Sequence, residues 1–174
     1  PGFLRDISFP KSNLKTGYAG KVSSRLNESL HQLMSQYSKT ILLGEDIADD
    51  YGGTFKITKG ISTQFPDRCF TSPISEAGIM ALGNGLALRG FYPIVEIMFG
   101  DFLGLTMDQL LNHGSLFPFM YGKQIPFSMV IRTPMGGRRG YGPTHSKSIE
   151  KYFMGMKGMP IVAVNHLSDP AQLL

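Results

Sequence analysis

The sequence predicts an α/β protein with a doubly wound, mostly parallel sheet and helices on both faces. The first observation is that short apolar runs of strand length alternate with longer segments of helical periodicity. The second is composition: 174 residues with 42% hydrophobic and 17% charged residues are typical of one globular domain with a real core. The third is that Gly and Pro separate the apolar runs.

The first half of the chain gives the first elements. Residues 1–20 have weak periodicity and predict an arm or linker, so we place the domain at 21–174. Apolar residues then recur every three or four positions, which predicts an amphipathic helix over 22–37. The run at 41–44 predicts a buried strand, and 45–59 predicts a polar loop.

A strand–helix unit follows. Residues 69–70 predict a second strand, and Pro73 stops it. Ser75 is a good N-cap for a mostly apolar helix that ends at a Gly90 cap. Glu76 then falls in the first turn of this buried helix.

The second half continues the alternation. Residues 93–98 predict a third strand, and 102–117 a long helix with Asp101 as its N-cap. A fourth strand is predicted at 127–133, followed by a glycine-rich loop, residues 134–145. Finally, the pattern predicts a short helix at 148–153, a fifth strand at 161–164, and the opening of a helix after Ser168. Since the chain starts at Pro1 and this last helix is cut off, we expect a fragment of a longer polypeptide.

The charge and hydropathy of the chain argue against several classes of protein. The 17 Lys and Arg against 13 Asp and Glu are scattered, which argues against a nucleic-acid groove. Neither a membrane span nor a signal-peptide pattern is present in the sequence. A single cysteine, Cys69, fits a reducing compartment and indicates buried packing rather than nucleophilic chemistry.

The candidate site residues follow the carboxyl ends of predicted strands, where open α/β sheets bind ligands. Glu76 either interacts favourably with the helix dipole or binds a ligand. Met98, Phe99 and Phe102 are either ordinary core or an aromatic wall for a flat heterocycle. We call these three residues the aromatic wall.

The glycine-rich loop offers a third set of candidates. Arg138 and Arg139 either serve solubility or meet an anionic substrate or a partner's acids. His145 closes the loop and is a candidate general acid or base. The loop lacks the Walker pattern, and His31, His113 and His166 lack metal-ligand spacing, so we predict neither a Walker site nor a zinc site.

A series of motifs in order resembles the pyrimidine-binding domain of the beta subunit of 2-oxo acid dehydrogenase decarboxylating components, in the transketolase-like thiamine diphosphate superfamily. The motifs are Gly44-Glu45-Asp46-Ile47, Tyr51-Gly52-Gly53-Thr54-Phe55, Phe65-Pro66-Asp67-Arg68, Pro73-Ile74-Ser75-Glu76-Ala77-Gly78, residues 96–102, Met107-Asp108-Gln109, Arg132-Thr133-Pro134 and Gly142-Pro143-Thr144-His145-Ser146.

The resemblance implies roles for particular residues. Glu76 matches the glutamate that hydrogen-bonds the aminopyrimidine of thiamine diphosphate and favours the imino tautomer that deprotonates the thiazolium. Ile74, Met98 and Phe102 match the pocket around that ring. His145 matches the histidine that handles the acyl group and its transfer to lipoyl.

The resemblance also implies missing parts. The Gly-Asp-Gly…Asn motif that holds diphosphate and magnesium is absent, since Gly100-Asp101 is followed by Phe102. The family places that half on an alpha subunit or a fused domain, so we expect this chain to be inactive without such a partner. The family's C-terminal domain is also expected beyond Leu174. Leu105 stands where pyruvate-specific relatives carry a polar residue, which weakens an assignment to pyruvate.

The implied function is oxidative decarboxylation of a 2-oxo acid, with a lipoyl-bearing acyltransferase as a further partner and a homo-oligomeric assembly. The implied location is the bacterial cytoplasm or the mitochondrial matrix of a eukaryote, as a soluble protein. Two alternatives stay open: an acetoin-type or other transketolase-like thiamine enzyme, and a non-catalytic assembly domain of the same fold.

Overall fold

A parallel sheet organises the chain. The computed structural model describes residues 19–120, 125–165 and 168–174. Four strands pair in the order β2-β1-β3-β4, and every pairing is parallel. This confirms the predicted fold class. The strands are β1 (Thr40–Gly44), β2 (Cys69–Thr71), β3 (Tyr92–Glu96) and β4 (Val130–Arg132).

The strand register brings the carboxyl ends together at one edge. Gly44, the last residue of β1, lies opposite Thr71 of β2 and Glu96 of β3. Glu96 in turn lies opposite Arg132 at the end of β4. The segments that leave all four strands therefore emerge side by side, as the sequence predicts.

Helices cover both faces of the sheet. The α-helices are α1 (Val22–Gln36), α2 (Ile61–Gln64), α3 (Glu76–Leu88), α4 (Gly100–Leu103) and α5 (Phe117–Met120). Neighbouring positions on a strand point to opposite faces, so Leu42 packs with α1 while Leu43 packs with α3. The α1-side core holds Leu26, Leu30, Met34, Leu42, Ile47, Ile57, Ile61, Cys69 and Ile94. The α3-side core holds Leu43, Ile79, Met80, Val95, Ile97, Leu103, Leu110, Ile149 and Phe153.

Helix α3 is fixed at its start and along its length. The Ser75 hydroxyl accepts a hydrogen bond from the Gly78 amide at 3.3 Å, which confirms the predicted N-cap. Gly83 lets the helix approach the sheet closely, since a Cβ at that position would lie 2.6 Å from Val95 Cγ2. Glu76 is therefore held at a fixed place above the strand ends.

The prediction of one long helix at 102–117 is wrong. That stretch is broken into α4, a 3₁₀ turn (Gly104–Thr106), a π-helical segment (Gln109–Gly114) and α5. Gly104 and Gly114 lower the helix propensity of this stretch. The buried Asn84 of α3 also donates from Nδ2 to the Gln109 carbonyl at 2.8 Å, where the predicted helix would run.

Asp101 is not the N-cap that we predicted. Phe99 occupies the cap position of α4, and the Asp101 carboxylate instead accepts from the Lys147 amide. A tertiary contact with a segment 46 residues away thus replaces the expected local one.

Two further elements differ from prediction. The predicted fifth strand at 161–164 has no regular secondary structure, and Ile161, Val162 and Val164 are each just over 40% exposed. Within the described ranges β4 pairs only with β3, so this segment has no strand beside it. The predicted helix at 148–153 is a single 3₁₀ turn, Glu150–Tyr152.

Two predictions concern residues that lie outside the described ranges. These residues are 1–18, which make up most of the predicted arm, and His166. Among the described helices, none has the length and apolar content needed to cross a lipid bilayer.

Candidate functional site

Glu76 lies at the mouth of α3, as the sequence predicts. Its residue is only 8% exposed, although it occupies the first helical turn. A carboxylate there interacts favourably with the helix dipole. Because Glu76 is also largely shielded from water, its carboxylate can form a hydrogen bond to a ligand that enters from the strand ends.

Glu45 is a second buried carboxylate, which the sequence indicates only as a member of the Gly44-Glu45-Asp46-Ile47 motif. It directly follows β1, is 3% exposed, and its Oε2 has no hydrogen-bond partner among the described residues. Burial raises the pKa of the Glu45 carboxyl, and the nearby charges of Glu76 and Asp46 raise it further. Glu45 and Glu76 therefore form an acidic pair at the ends of β1 and β2.

A signal for Glu45 was present in the sequence. An acid placed directly after a run of five buried strand residues lies at the ligand-binding edge of a parallel sheet. Its burial, however, depends on the approach of α3, which no local pattern reveals.

The aromatic wall contacts His145. The His145 ring lies 4.9 Å from the Phe99 ring and 5.1 Å from the Phe102 ring, centroid to centroid, and both contacts are T-shaped. Thr144 Oγ1 lies 2.9 Å from His145 Nδ1. The structure thus brings together Phe102 and His145, two of the site residues predicted from the sequence.

A close backbone contact joins the wall to the glycine-rich loop. The Gly100 amide donates to the Pro134 carbonyl at 2.9 Å. A Cβ at Gly100 would collide with the Met135 side chain, so any other residue here would force Met135 to shift. The loop is therefore seated directly on the residues that follow β3.

The two adjacent arginines of the loop differ in their surroundings. Arg139 donates to the Gly136 carbonyl at 2.6 Å, and its guanidinium lies 5.2 Å from the Phe55 ring and 5.9 Å from the Tyr141 ring. Arg139 thus joins the loop to the segment after β1 by cation–π contacts. Arg138 is exposed.

Ile74 and Met98 complete the residues predicted to surround a pyrimidine. Met98, a member of the aromatic wall, is half-buried, whereas Ile74 is 80% exposed on the segment before Glu76. An isoleucine so exposed offers apolar surface to a ligand or partner.

A buried ion pair joins the ends of β3 and β4 next to the site. Arg132 donates to both carboxylate oxygens of Glu96, from Nε at 2.8 Å and from Nη2 at 2.7 Å. Glu96 is 1% exposed. The pair ties β3 to β4 immediately before the two segments that carry the wall and the glycine-rich loop.

Two further groups bear on chemistry. Burial raises the pKa of the Cys69 thiol to about 11, which agrees with a packing role. In the described part of the chain, no three His, Cys, Asp or Glu side chains are placed to hold a metal ion.

Comparison with known proteins places this architecture in a family. Residues 21–174 match the model of the transketolase pyrimidine-binding domain. The chain belongs to this family. The relation covers nearly the whole described structure, including α3, the aromatic wall and the glycine-rich loop.

Relatives of this pyrimidine-binding domain occur in several enzymes. The chain is 33% identical over 150 residues to the 3-methyl-2-oxobutanoate dehydrogenase subunit beta of Mycobacterium tuberculosis, covering 86% of the chain and 43% of the relative. It is 33% identical over 165 residues to the acetoin:2,6-dichlorophenolindophenol oxidoreductase subunit beta of Bacillus subtilis, covering 88% and 48%. It is 33% identical over 159 residues to the chloroplastic pyruvate dehydrogenase E1 component subunit beta-3 of Arabidopsis thaliana, covering 91% and 39%. The chain spans less than half the length of these relatives.

Proposed function

We propose that this chain is the pyrimidine-binding half of a thiamine diphosphate-dependent 2-oxo acid dehydrogenase. The observation that carries the proposal is the buried carboxylate of Glu76 in the first turn of α3, within a domain of the pyrimidine-binding family. The names of the relatives, which are beta subunits of dehydrogenases and of an acetoin oxidoreductase, support it. The complete enzyme would decarboxylate a 2-oxo acid oxidatively and pass the acyl group to lipoyl.

The residues at the strand ends suit an aminopyrimidine. Such a ring needs an apolar surface on its faces and a polar partner at its nitrogens. Met98 and Phe102 offer the surface, Ile74 extends it, and Glu76 offers the carboxylate. Oε2 of Glu45, which has no hydrogen-bond partner in the described part of the chain, supports a polar ligand at this edge.

Glu76 would bind the pyrimidine of the cofactor, with Glu45 beside it. When bound, the cofactor would supply a thiazolium carbon that can act as a nucleophile towards a keto carbon and as an electron sink during decarboxylation. Glu76 would hydrogen-bond the pyrimidine nitrogen. Burial, and then the charge of Glu76, raises the pKa of Glu45, which favours the protonated form of Glu45.

His145 would exchange a proton with the reactant. The Phe99 and Phe102 rings hold its imidazole on two sides, and Thr144 contacts Nδ1. We assign proton exchange to the other ring nitrogen, which serves as general acid or base during acyl transfer.

A partner would complete the active site. We propose that an alpha subunit, or a diphosphate-binding domain fused to this chain, binds the diphosphate and its magnesium and covers Ile74. A lipoyl-bearing acyltransferase would receive the acyl group, and the assembly would contain more than one copy of this chain. A reducing compartment, the bacterial cytoplasm or the mitochondrial matrix, would suit such an enzyme.

Titration calorimetry tests this division of labour. We expect the chain alone to bind thiamine diphosphate weakly and without magnesium dependence, and the chain with its partner to bind tightly when magnesium is present. Strong magnesium-dependent binding by the chain alone would contradict the proposal.

An acetoin-type thiamine enzyme is the second candidate. The Bacillus subtilis relative supports it as strongly as the two dehydrogenase subunits support the first candidate, since all three are 33% identical to this chain. Assays of the assembled enzyme with acetoin and with 2-oxo acids of different side-chain size separate the two. A non-catalytic assembly domain would show no activity with either, although the presence of Glu76, Phe102 and His145 argues against it.

A further inference from the structure

Asp101 holds a backbone segment close to His145. Its side chain is 5% exposed and lies in the first turn of α4. Oδ2 accepts from the Lys147 amide at 3.2 Å, and Oδ1 lies 3.3 Å from Lys147 Nζ. The Gly136 amide donates to the Lys147 carbonyl at 3.2 Å, so both backbone polar groups of Lys147 are bound.

Asp101 lies in the sequence between the two residues whose rings contact His145. His145 precedes Lys147 by two residues, and Phe99 and Phe102 flank Asp101 in sequence. Asp101 therefore binds the chain just after His145, while its own neighbours contact the imidazole on two sides. One short segment supplies both the ring contacts and the anchor.

We propose that Asp101 is the positioning residue for His145, and that it acts through its hydrogen bond to the Lys147 amide. The ion pair with Lys147 Nζ contributes little, because the lysine side chain is 59% exposed. The bond to the amide, at 3.2 Å, joins the Asp101 side chain, which is 5% exposed, to the backbone of Lys147, so it fixes the chain itself rather than a flexible side-chain end. Without it, the glycines on the amino-terminal side of His145 leave the histidine free to move away from the wall.

The positioning role does not depend on the reaction. Its value for catalysis rests on the proposed function, in which His145 exchanges a proton with the reactant. The structural claim can therefore fail or hold separately from the enzymatic one.

Four variants separate the contacts. Asp101→Ala removes the acceptor, whereas Asp101→Asn retains an oxygen for the Lys147 amide. Lys147→Met removes the ammonium and keeps the amide. Asp108→Ala is the matched control, because Asp108 is an exposed acid that contacts only its own helical neighbours among the hydrogen bonds of the described residues.

Carbethoxylation by diethylpyrocarbonate, followed by mass spectrometry, measures the freedom of His145 in the intact full-length protein. Trypsin releases residues 140–147, or residues 140–151 from Lys147→Met, and His145 is the single histidine of either peptide. We expect Asp101→Ala to raise the His145 modification rate about threefold to tenfold, the range expected for loss of one ordinary, solvent-accessible hydrogen bond. Asp101→Asn, Lys147→Met and Asp108→Ala should stay within about twofold of the unsubstituted rate, since each leaves an acceptor for the Lys147 amide.

An unchanged rate in Asp101→Ala would overturn the proposal, and so would an equal rise in Lys147→Met. The modification rate of His31, on the opposite side of the sheet, reports whether a variant has unfolded. If Asp101→Ala unfolds, amide hydrogen exchange in the unsubstituted protein decides the question. The Lys147 amide should then exchange much more slowly than the unfolded-chain rate, and exchange at that rate would refute the anchor.

Turnover of the assembled enzyme tests whether the positioning of His145 matters for catalysis. We expect Asp101→Ala to lower kcat about tenfold or more while changing KM little, because a misplaced acid–base group affects the chemical step. A changed modification rate with unchanged kcat would keep the positioning role and reject the role of His145 in turnover.

Discussion

Replacing Arg132 by methionine should destabilise the fold severely. The guanidinium makes two hydrogen bonds, at 2.7 and 2.8 Å, to a carboxylate that is 1% exposed. Methionine fills much of the same volume and leaves the Glu96 charge buried without a partner. Breaking a buried ion pair in this way costs about 3–5 kcal/mol, which is a large part of a typical domain's total stability of roughly 5–15 kcal/mol.

Urea denaturation of the Arg132→Met variant measures this cost. The unfolding midpoint should fall while the dependence on urea stays constant. Arg89→Met, at an exposed arginine, is the control and should change stability by less than about 0.5 kcal/mol. The double variant Arg132→Met/Glu96→Leu should recover part of the loss, because it removes the unpaired charge. A loss below about 1 kcal/mol in Arg132→Met would refute the reasoning.

Three other predictions concern the surroundings of the site. Hydrogen bonds from neighbouring hydroxyls and amides lower the pKa of Asp49 to about 2, so Asp49→Asn should cost about 2 kcal/mol at neutral pH in a denaturant titration. In the unsubstituted protein that contribution is present above the ordinary pKa of 3.8 and disappears as pH falls towards 2. The pKa of Glu45 is raised instead, so ionisation of Glu45 lowers the stability of the fold as the pH rises above 4.5. Glu45→Gln should remove that part of the pH dependence in thermal melts and leave the neutral-pH Tm equal or higher. Gly100→Ala should cost about 1–3 kcal/mol through the collision with Met135 and should shift the glycine-rich loop, visible as faster proteolysis there; an unchanged melting temperature and cleavage rate would contradict the close approach.

The sequence predicts those features that depend on neighbouring residues. Pro73, Ser75 and Glu76 form a local signal that ends a strand and begins a helix, and the structure has the capping bond at that place. The parallel sheet is equally predictable, since strand-length and helix-length segments alternate. The rule that ligand sites follow strand carboxyl ends then groups Glu76, the aromatic wall and the glycine-rich loop at one edge.

Features that depend on distant residues are missed. The long helix fails because Asn84 captures the Gln109 carbonyl, and the N-cap role of Asp101 fails because its carboxylate binds the Lys147 amide. Neither partner is visible in a local pattern. The coupling of Glu45 to Glu76 is missed for the same reason, as it arises only when α3 closes over the end of β1.

The central claim is that Glu76 is the proton partner of a thiamine pyrimidine. The most direct measurement is the rate of deuterium exchange at the thiazolium C2–H of thiamine diphosphate bound to the assembled enzyme. Glu28→Gln, at an exposed glutamate of α1, serves as the matched control. We predict that Glu76→Gln slows this exchange about 10²-fold or more, as expected for loss of an acid–base group, while Glu28→Gln leaves it unchanged. Exchange in the Glu76→Gln enzyme within about twofold of the unsubstituted rate, with the cofactor shown to be bound, would contradict the account.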